Sequence, residues 1–263
     1  MRRIAPQFDE EHARRWHDRD AAENYRYRIP YPAETFDRLL SLIADTSPAV
    51  LDVGCGPGNI ARELAPRVTR VDAIDFSAAM IEVGRGLPGG SQPNIRWQEA
   101  RAEEAELDPP YALIVGGASL HWMDYEVVLP RLARALTERG VLAVVSVHEQ
   151  GRHAWDEEIS QITNWYSTAK RYVPFDMIRI WEEAGLFEQA DECMTGPVSF
   201  EQPVEEYIAG FHAVSNLARA SIHADAFDAK VRRVMGRHCP DGVVRRAVAA
   251  HLVSGVPLVG PGA

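Results

Sequence analysis

An α/β fold built on an open, doubly wound and mostly parallel sheet is what this sequence predicts, and three observations predict it. Short apolar runs recur between residues 49 and 147, and stretches with helical spacing alternate with them. Such alternation makes βαβ units, with helices on both faces of one sheet. The first run, Ala49-Val50-Leu51-Asp52-Val53, stops abruptly at glycines, as a buried parallel strand does. The run Val141 to Val147 carries no charge at all.

In chain order, Phe8 to Asn24 reads as helical. Tyr25 to Pro32 reads as an ordered extended segment, because Pro30 and Pro32 forbid a continuous helix. Phe36, Leu39, Leu40 and Ile43 give Thr35 to Ala44 a helical face. After the first strand come a helix over Asn59 to Arg67, a strand over Val68 to Asp75 and a helix over Ser77 to Gly86 with Ser77 as N-cap. Strands follow at Asn94 to Glu99 and Tyr111 to Gly116, then a helix over Glu126 to Arg139 with Gly140 as its C-cap. Beyond His148 the pattern turns helical, at Ala154–Lys170 and Asp176–Ala184, with a sixth strand at Leu186 to Met194. Helical stretches Pro203–Ala220 and Asp225–Arg237 precede a seventh strand, Gly242–Leu252, which returns to the sheet. The expected organisation is a cap over 1–34, a core over 35–202, a helical insertion or substrate lid over 203–240, and a last strand and tail over 241–263.

Composition bounds the function. The 263 residues are 46% hydrophobic and 25% charged, ample for a packed core. With 28 Lys+Arg against 38 Asp+Glu the net charge is −10, which weighs against a nucleic-acid partner, since phosphates call for a basic face. Three scattered cysteines, Cys55, Cys193 and Cys239, form neither a CxxC pair nor a metal-ligand cluster, so a reducing, cytoplasmic setting is expected and no metal site. No stretch approaches the ~18 apolar residues of a membrane span, and the acidic start is unlike a secretory signal.

The informative segment is Asp52-Val53-Gly54-Cys55-Gly56-Pro57-Gly58-Asn59, at the carboxyl end of a strand and opening a helix. Glycines there permit a tight turn and let a ligand approach backbone N–H groups. Asp75 ends the next strand, where an acidic side chain accepts both hydroxyls of a ribose. An adenosine-containing ligand fits these residues. The spacing is G-x-G-x-G and not the G-x-G-x-x-G of dinucleotide sites, and Asp52 would repel a pyrophosphate but suit a cationic amino group.

Val50 to Gly58, with Asp75-Phe76-Ser77-Ala78-Ala79-Met80, resembles the first two motifs of the class I S-adenosylmethionine-dependent methyltransferases. Gly117-Ala118-Ser119-Leu120-His121-Trp122-Met123-Asp124 is similar to the fourth-strand region of small-molecule members, including the trans-aconitate methyltransferase-like group. The resemblance spans Ala49 to Val147. It implies a Rossmann-like, seven-stranded sheet with an N-terminal helical cap, and S-adenosyl-L-methionine as cofactor. Asp52 and Gly54 would hold the methionine amino end, Gly56 and Gly58 would line the loop, and Asp75 would take the ribose. Phe76 and Met80 would flank adenine. Arg101 stands where many members have an acidic residue, so the adenine amino contact falls to the backbone of Ala102 or to Glu103. Gly117 and Ser119 would complete the cofactor site, and Arg28 of the cap is the candidate for the methionine carboxylate, which suits a bidentate guanidinium.

Methyl transfer is an in-line displacement, so positioning and desolvation supply much of the catalysis. A general base is needed only where the acceptor keeps its proton, and histidine is the natural choice. His121 and His148 stand at the carboxyl ends of expected strands and are the two candidates. Trp155, Trp165, Tyr166, Tyr172, Phe175, Tyr207 and Phe211 lie in the helical regions, divided between core and acceptor pocket. The reading is a transferase acting on a small-molecule acceptor, with O-methylation of a metabolite expected, no membrane partner, and a monomer or homodimer. An RNA or protein methyltransferase, a non-catalytic cofactor-binding protein and a dehydrogenase are the alternatives.

Overall fold

The structure, a computed structural model, describes residues 5, 7–46, 48–169 and 173–260. The chain enters through two short helices, α1 (Glu10–Arg14) and α2 (Arg19–Asn24), each started by an aspartate, Asp9 or Asp18, that accepts from a first-turn N–H. A 3-10 turn over Tyr25–Tyr27 leads through the prolines to α3 (Ala33–Ser41). The βα units then run β1 (Ala49–Val53), α4 (Ala61–Leu64), β2 (Arg70–Asp75), α5 (Ala78–Gly86), β3 (Ile95–Glu99), β4 (Tyr111–Gly117), α6 (Tyr125–Ala135) and β5 (Leu136–Gln150). The remainder is α7 (Asp156–Tyr166), α8 (Met177–Glu183), β6 (Phe187–Met194), β7 (Val198–Pro203), α9 (Val204–Phe211), α10 (Ala224–His238) and β8 (Val243–Pro257).

Neighbouring strands follow the order β3-β2-β1-β4-β5-β8-β6, with β7 also on β8. The first five are parallel, and β8 runs antiparallel to β5, from Leu142↔Gly255 to Gln150↔Ala247. The fold is therefore the expected mostly parallel, doubly wound sheet, with one strand more than the seven expected. The extra strand is β7. It lies against the first half of β8 (Val198↔Val248 to Pro203↔Val243), and β6 lies against the second half, both on its outer edge. Only Gln202 of β7 is buried, so this edge strand lacks the apolar run that marks an interior one.

Successive residues of the interior strands point to opposite faces, which gives the sheet two cores. Leu51, Val53, Ile74, Tyr111 and Leu142 pack under α6 and α8 with Leu129 and Trp181. Val50, Val71, Leu113, Val115 and Val145 pack under α3 and α4 with Phe36 and Leu64. A third cluster belongs to α7, α9 and α10, where Ile208, Phe227, Val231 and Met235 close over Val244 of β8.

Several boundaries differ from expectation. The helix expected over Glu126 to Arg139 ends at Ala135, and Gly140 is no C-cap but part of β5. Leu136 already pairs with Tyr111 of β4, and a Cβ on Gly140 would sit 2.7 Å from the Tyr111 carbonyl oxygen. Sheet pairing thus claims residues whose local pattern is helical. The stretch Pro203–Ala220 is helical only to Phe211, with a 3-10 turn at Arg219–Ser221. Lys170 and Tyr172 lie outside the described residues. Among the described residues no helix is long and apolar enough to cross a membrane.

Candidate functional site

The carboxyl ends of β1, β2 and β4 meet at a cavity of ≈ 770 Å³ that opens to solvent. Its floor is the glycine loop. Gly54 and Cys55 donate their N–H groups to the Ile74 carbonyl at 2.8 and 2.9 Å, which folds the loop onto β2. Gly54 has φ +67°, and a Cβ on it would lie 2.5 Å from the Cβ of Ser119. Gly58 has φ +71°, and a Cβ there would collide with the Trp97 indole. Both positions require glycine, for backbone conformation and for space.

Asp75 organises the centre. Its Oδ2 accepts from Gly56 N and its Oδ1 from Ser77 N, both at 2.8 Å. Burial raises its pKa, opposed by those two N–H donors. Each carboxylate oxygen keeps a second lone pair, and the side chain forms part of the cavity wall. Ser77 caps α5 by accepting from Met80 N at 3.3 Å, and its hydroxyl donates to the Trp16 carbonyl at 2.7 Å. One serine thereby starts a helix and anchors the cap.

Asp52 lies beneath the loop and is not on the cavity wall. It is 1% exposed, and its Oδ2 accepts from Ala61 N at 3.0 Å, at the start of α4. Burial pushes its pKa up to about 7, against the Ala61 N–H and with a smaller contribution from Asp75. Tyr31 shares this region. Its hydroxyl would be 2.7 Å from a Cβ on Gly117, and burial raises its pKa, with Tyr25 and Asp52 adding to the rise.

The cavity wall brings together Gly54, Gly56, Asp75, Phe76, Met80, Ala102, Glu103, Gly117 and Ser119 of the expected residues. Ser119 donates its hydroxyl to the Val53 carbonyl at 2.6 Å, and Glu103 accepts from Asp124 N at 2.9 Å. Gly58 is a packing position behind the loop. Arg28 lines a different groove, with its guanidinium 5.5 Å from the Tyr25 ring centroid.

Neither histidine is on the wall. His121 sits in an aromatic cluster, its ring 4.5 Å from Phe8 and 6.1 Å from Phe175, and burial lowers its pKa to about 4. His148 is on β5, with Nε2 2.7 Å from the Ser146 hydroxyl and the His251 ring 6.5 Å away. Burial and His251 lower its pKa.

Sequence reasoning missed Trp16, Trp122, Met123 and Ala118 as wall residues. Trp16 belongs to an N-terminal stretch rich in aromatic residues, which by itself does not say what surface the indole covers. It meets Trp122 edge-on at 6.0 Å, and its indole N–H is buried without a hydrogen-bond partner among the described residues. Ala118 has φ +52°, a left-handed conformation unusual for alanine, with its N–H held by the Val145 carbonyl at 2.9 Å. Nothing in its local sequence announces that strain.

Known proteins resemble this arrangement. Residues 50–140 match the family model described as "Methyltransferase domain". A trans-aconitate 2-methyltransferase of Methylobacterium nodulans is 34% identical over 132 residues, 48% of this chain and 49% of that protein. A malonyl-[acyl-carrier protein] O-methyltransferase of Acetivibrio thermocellus is 30% identical over 147 residues, 55% and 49% of the two chains. The chain spans about half the length of these curated relatives. A solved structure from Anaeromyxobacter dehalogenans, described as a candidate type II methyltransferase, superposes with a TM-score of 0.56 at 21% identity. It covers 89% of this chain and 99% of that one, a likeness of fold.

Proposed function

We propose that this chain, whose residues 50–140 match a methyltransferase domain, is a class I S-adenosylmethionine-dependent methyltransferase that methylates an oxygen of a small-molecule metabolite. The observation that carries the reading is Asp75, whose carboxylate ends β2 beside the glycine loop with both oxygens oriented by backbone N–H groups. Such a carboxylate suits the two hydroxyls of a ribose. The Phe76 ring and the Met80 thioether offer apolar contacts for the adenine beside it, and the orphaned indole N–H of Trp16 offers a donor on the cap side.

Bound there, S-adenosylmethionine would supply a methyl group on a sulfonium, ready for in-line displacement. The protein's own part is to orient the two reactants and exclude water. The cap does this from one side. Its Phe8 and Trp16 close against Trp122, Tyr25 packs on Trp16, and Arg15 bonds the Thr168 hydroxyl and, at 3.1 Å, the Ser215 carbonyl. Residues 1–34 therefore act as the cofactor cap, and 203–240 as the acceptor lid. His121, uncharged at neutral pH, serves the cap as a packing group for Phe8, and His148 stays outside the reaction.

The acceptor is a small molecule and not a nucleic acid, and the net charge of −10 supports that choice. The working form is a monomer or homodimer in the cytoplasm. The test is thermal stabilisation and calorimetric binding with S-adenosylmethionine, S-adenosylhomocysteine and NAD. The first two should bind and NAD should not, and Asp75→Ala should abolish the difference. Binding of NAD alone would overturn the reading.

A further inference from the structure

A second groove, of ≈ 500 Å³, lies on the far side of the cap turn from the cofactor cavity. Tyr27, Arg28 and Ile29 of the turn form one side, and Tyr207 and Phe211 of α9 face them, with Arg246 of β8 between. The two spaces share a wall, because Tyr25 lines the first and Arg28, stacked over its ring, lines the second.

Arg246 is unusual. Only 9% of it is exposed, and its guanidinium lies 4.9 Å from the Tyr207 ring centroid and 5.3 Å from that of Phe200. Its Nη1 faces Glu149 at 3.3 Å, and its Nη2 donates to the Gln202 side chain. Its Nε is buried with no hydrogen-bond partner among the described residues. Orphaning a donor on a buried cation costs more than the same vacancy on a neutral group. Gln202 in turn donates to the Tyr27 carbonyl at 3.3 Å, so the arginine's support reaches into the cap turn.

The charge count identifies what the groove accepts. Two guanidiniums, Arg28 and Arg246, face it, and Glu149 neutralises one of them. Glu149 is also engaged by His153, 2.8 Å from its other oxygen. Arg28 has no ion pair among the described residues. One further negative charge balances the site, and a dianion would be repelled by Glu149 nearby. The planar guanidinium fork of Arg246, with Nε still unpaired among the described residues, suits a planar acceptor group. Burial raises the pKa of Tyr207, which keeps its phenol neutral and no competitor for the guanidinium.

We propose that this groove is a carboxylate subsite, in which Arg246 and Arg28 grip a monoanionic group of the acceptor away from its reacting atom. Its place in the acceptor site rests on the methyltransferase reading, whereas its affinity for carboxylate does not. The subsite would select acceptors by charge and fix their reach toward the shared wall.

Calorimetric titration of the full chain with phenylacetate, phenylacetamide and inorganic phosphate tests the proposal, with and without S-adenosylhomocysteine. Phenylacetate should bind at least about tenfold more tightly than the amide or phosphate, as expected for a charge-assisted contact. Arg246→Gln and Arg28→Gln should each weaken phenylacetate by about tenfold or more, with S-adenosylhomocysteine affinity kept within about threefold. Arg28 is only half-buried, so Arg28→Gln reports even if the buried Arg246 variant misfolds. Equal binding of acid and amide, phosphate binding as tightly as the acid, or loss of S-adenosylhomocysteine binding in Arg28→Gln would overturn the subsite. Failure of S-adenosylhomocysteine to bind the wild type would instead sink the methyltransferase reading.

Discussion

Gly56 donates its backbone N–H to the carboxylate of Asp75 across 2.8 Å, although 19 residues separate them. The bond joins the glycine loop to the end of β2, so the carboxylate proposed to take the ribose and the loop are fixed as one unit. Asp75→Asn replaces one acceptor oxygen with an NH₂, leaving either Gly56 N or Ser77 N facing a donor. The Kd for S-adenosylhomocysteine should rise about 10–100-fold in Asp75→Asn, and more in Asp75→Ala. Calorimetry checks this, and an unchanged Kd in both would remove Asp75 from the site.

Two glycines of the loop should respond differently. A Cβ on Gly56 meets no atom within 4 Å, whereas one on Gly58 runs into Trp97. Gly56→Ala carries only the left-handed backbone cost, about 1–2 kcal/mol, and its methyl projects from the cavity floor where the cofactor would lie. Gly58→Ala adds overpacking of about 1–3 kcal/mol. Urea unfolding should rank Gly58→Ala as the less stable protein. Cofactor affinity, measured well below either unfolding midpoint, should fall more in Gly56→Ala.

The sheet was legible because β1, β4 and the Val141–Val147 stretch of β5 carry apolar runs next to glycines, and each run is a local property. β1 falls at Ala49–Val53 as read, and Ser77 caps α5 as read. What escaped depends on distant partners. β7 exists through its pairing with β8, and the end of α6 is set by Leu136 joining Tyr111. The same holds at the site. The glycine loop and Asp75 lie within one βαβ unit and announce themselves by spacing. Trp16 reaches the cavity through a hydrogen bond to Ser77, 61 residues away, and Arg246 reaches the second groove only once β8 has folded back.

His121 makes acid stability sensitive to one ring. Its folded pKa, about 4, is depressed by burial below the usual 6.5, so the neutral form is the folded one. The stability this contributes is fully present above pH 6.5 and is lost as pH falls toward 4. The loss is on the order of 2–3 kcal/mol. His121→Phe, placed among Phe8, Trp122 and Phe175, removes the titrating group and keeps the aromatic packing. The stability gap between the variant and wild type should therefore shift in the variant's favour by about 2 kcal/mol between pH 7 and pH 4.5, read from urea midpoints. A pH-independent gap would show that the ring is hydrated and not buried.

Asp52 has the opposite sign. Burial raises its folded pKa from 3.8 to about 7, so its stabilising protonated form is fully present below pH 3.8 and lost as pH rises through 7. Without ligand, Asp52→Asn should therefore gain about 1–3 kcal/mol over wild type between pH 5 and pH 8, because asparagine still accepts from Ala61 N without the buried charge. An ammonium group of a bound cofactor reverses the preference, since a cation nearby favours the carboxylate. At pH 6 an α-amino group is already protonated, so the proton must come from the protein. Binding of S-adenosylhomocysteine at pH 6, followed calorimetrically in buffers of different ionisation enthalpy, should release up to about 0.9 proton in wild type. Asp52→Asn should release correspondingly less and bind more weakly. Equal proton release by the two proteins would mean that Asp52 serves only to hold α4 to β1, and that the methionine amino group finds its charge partner elsewhere.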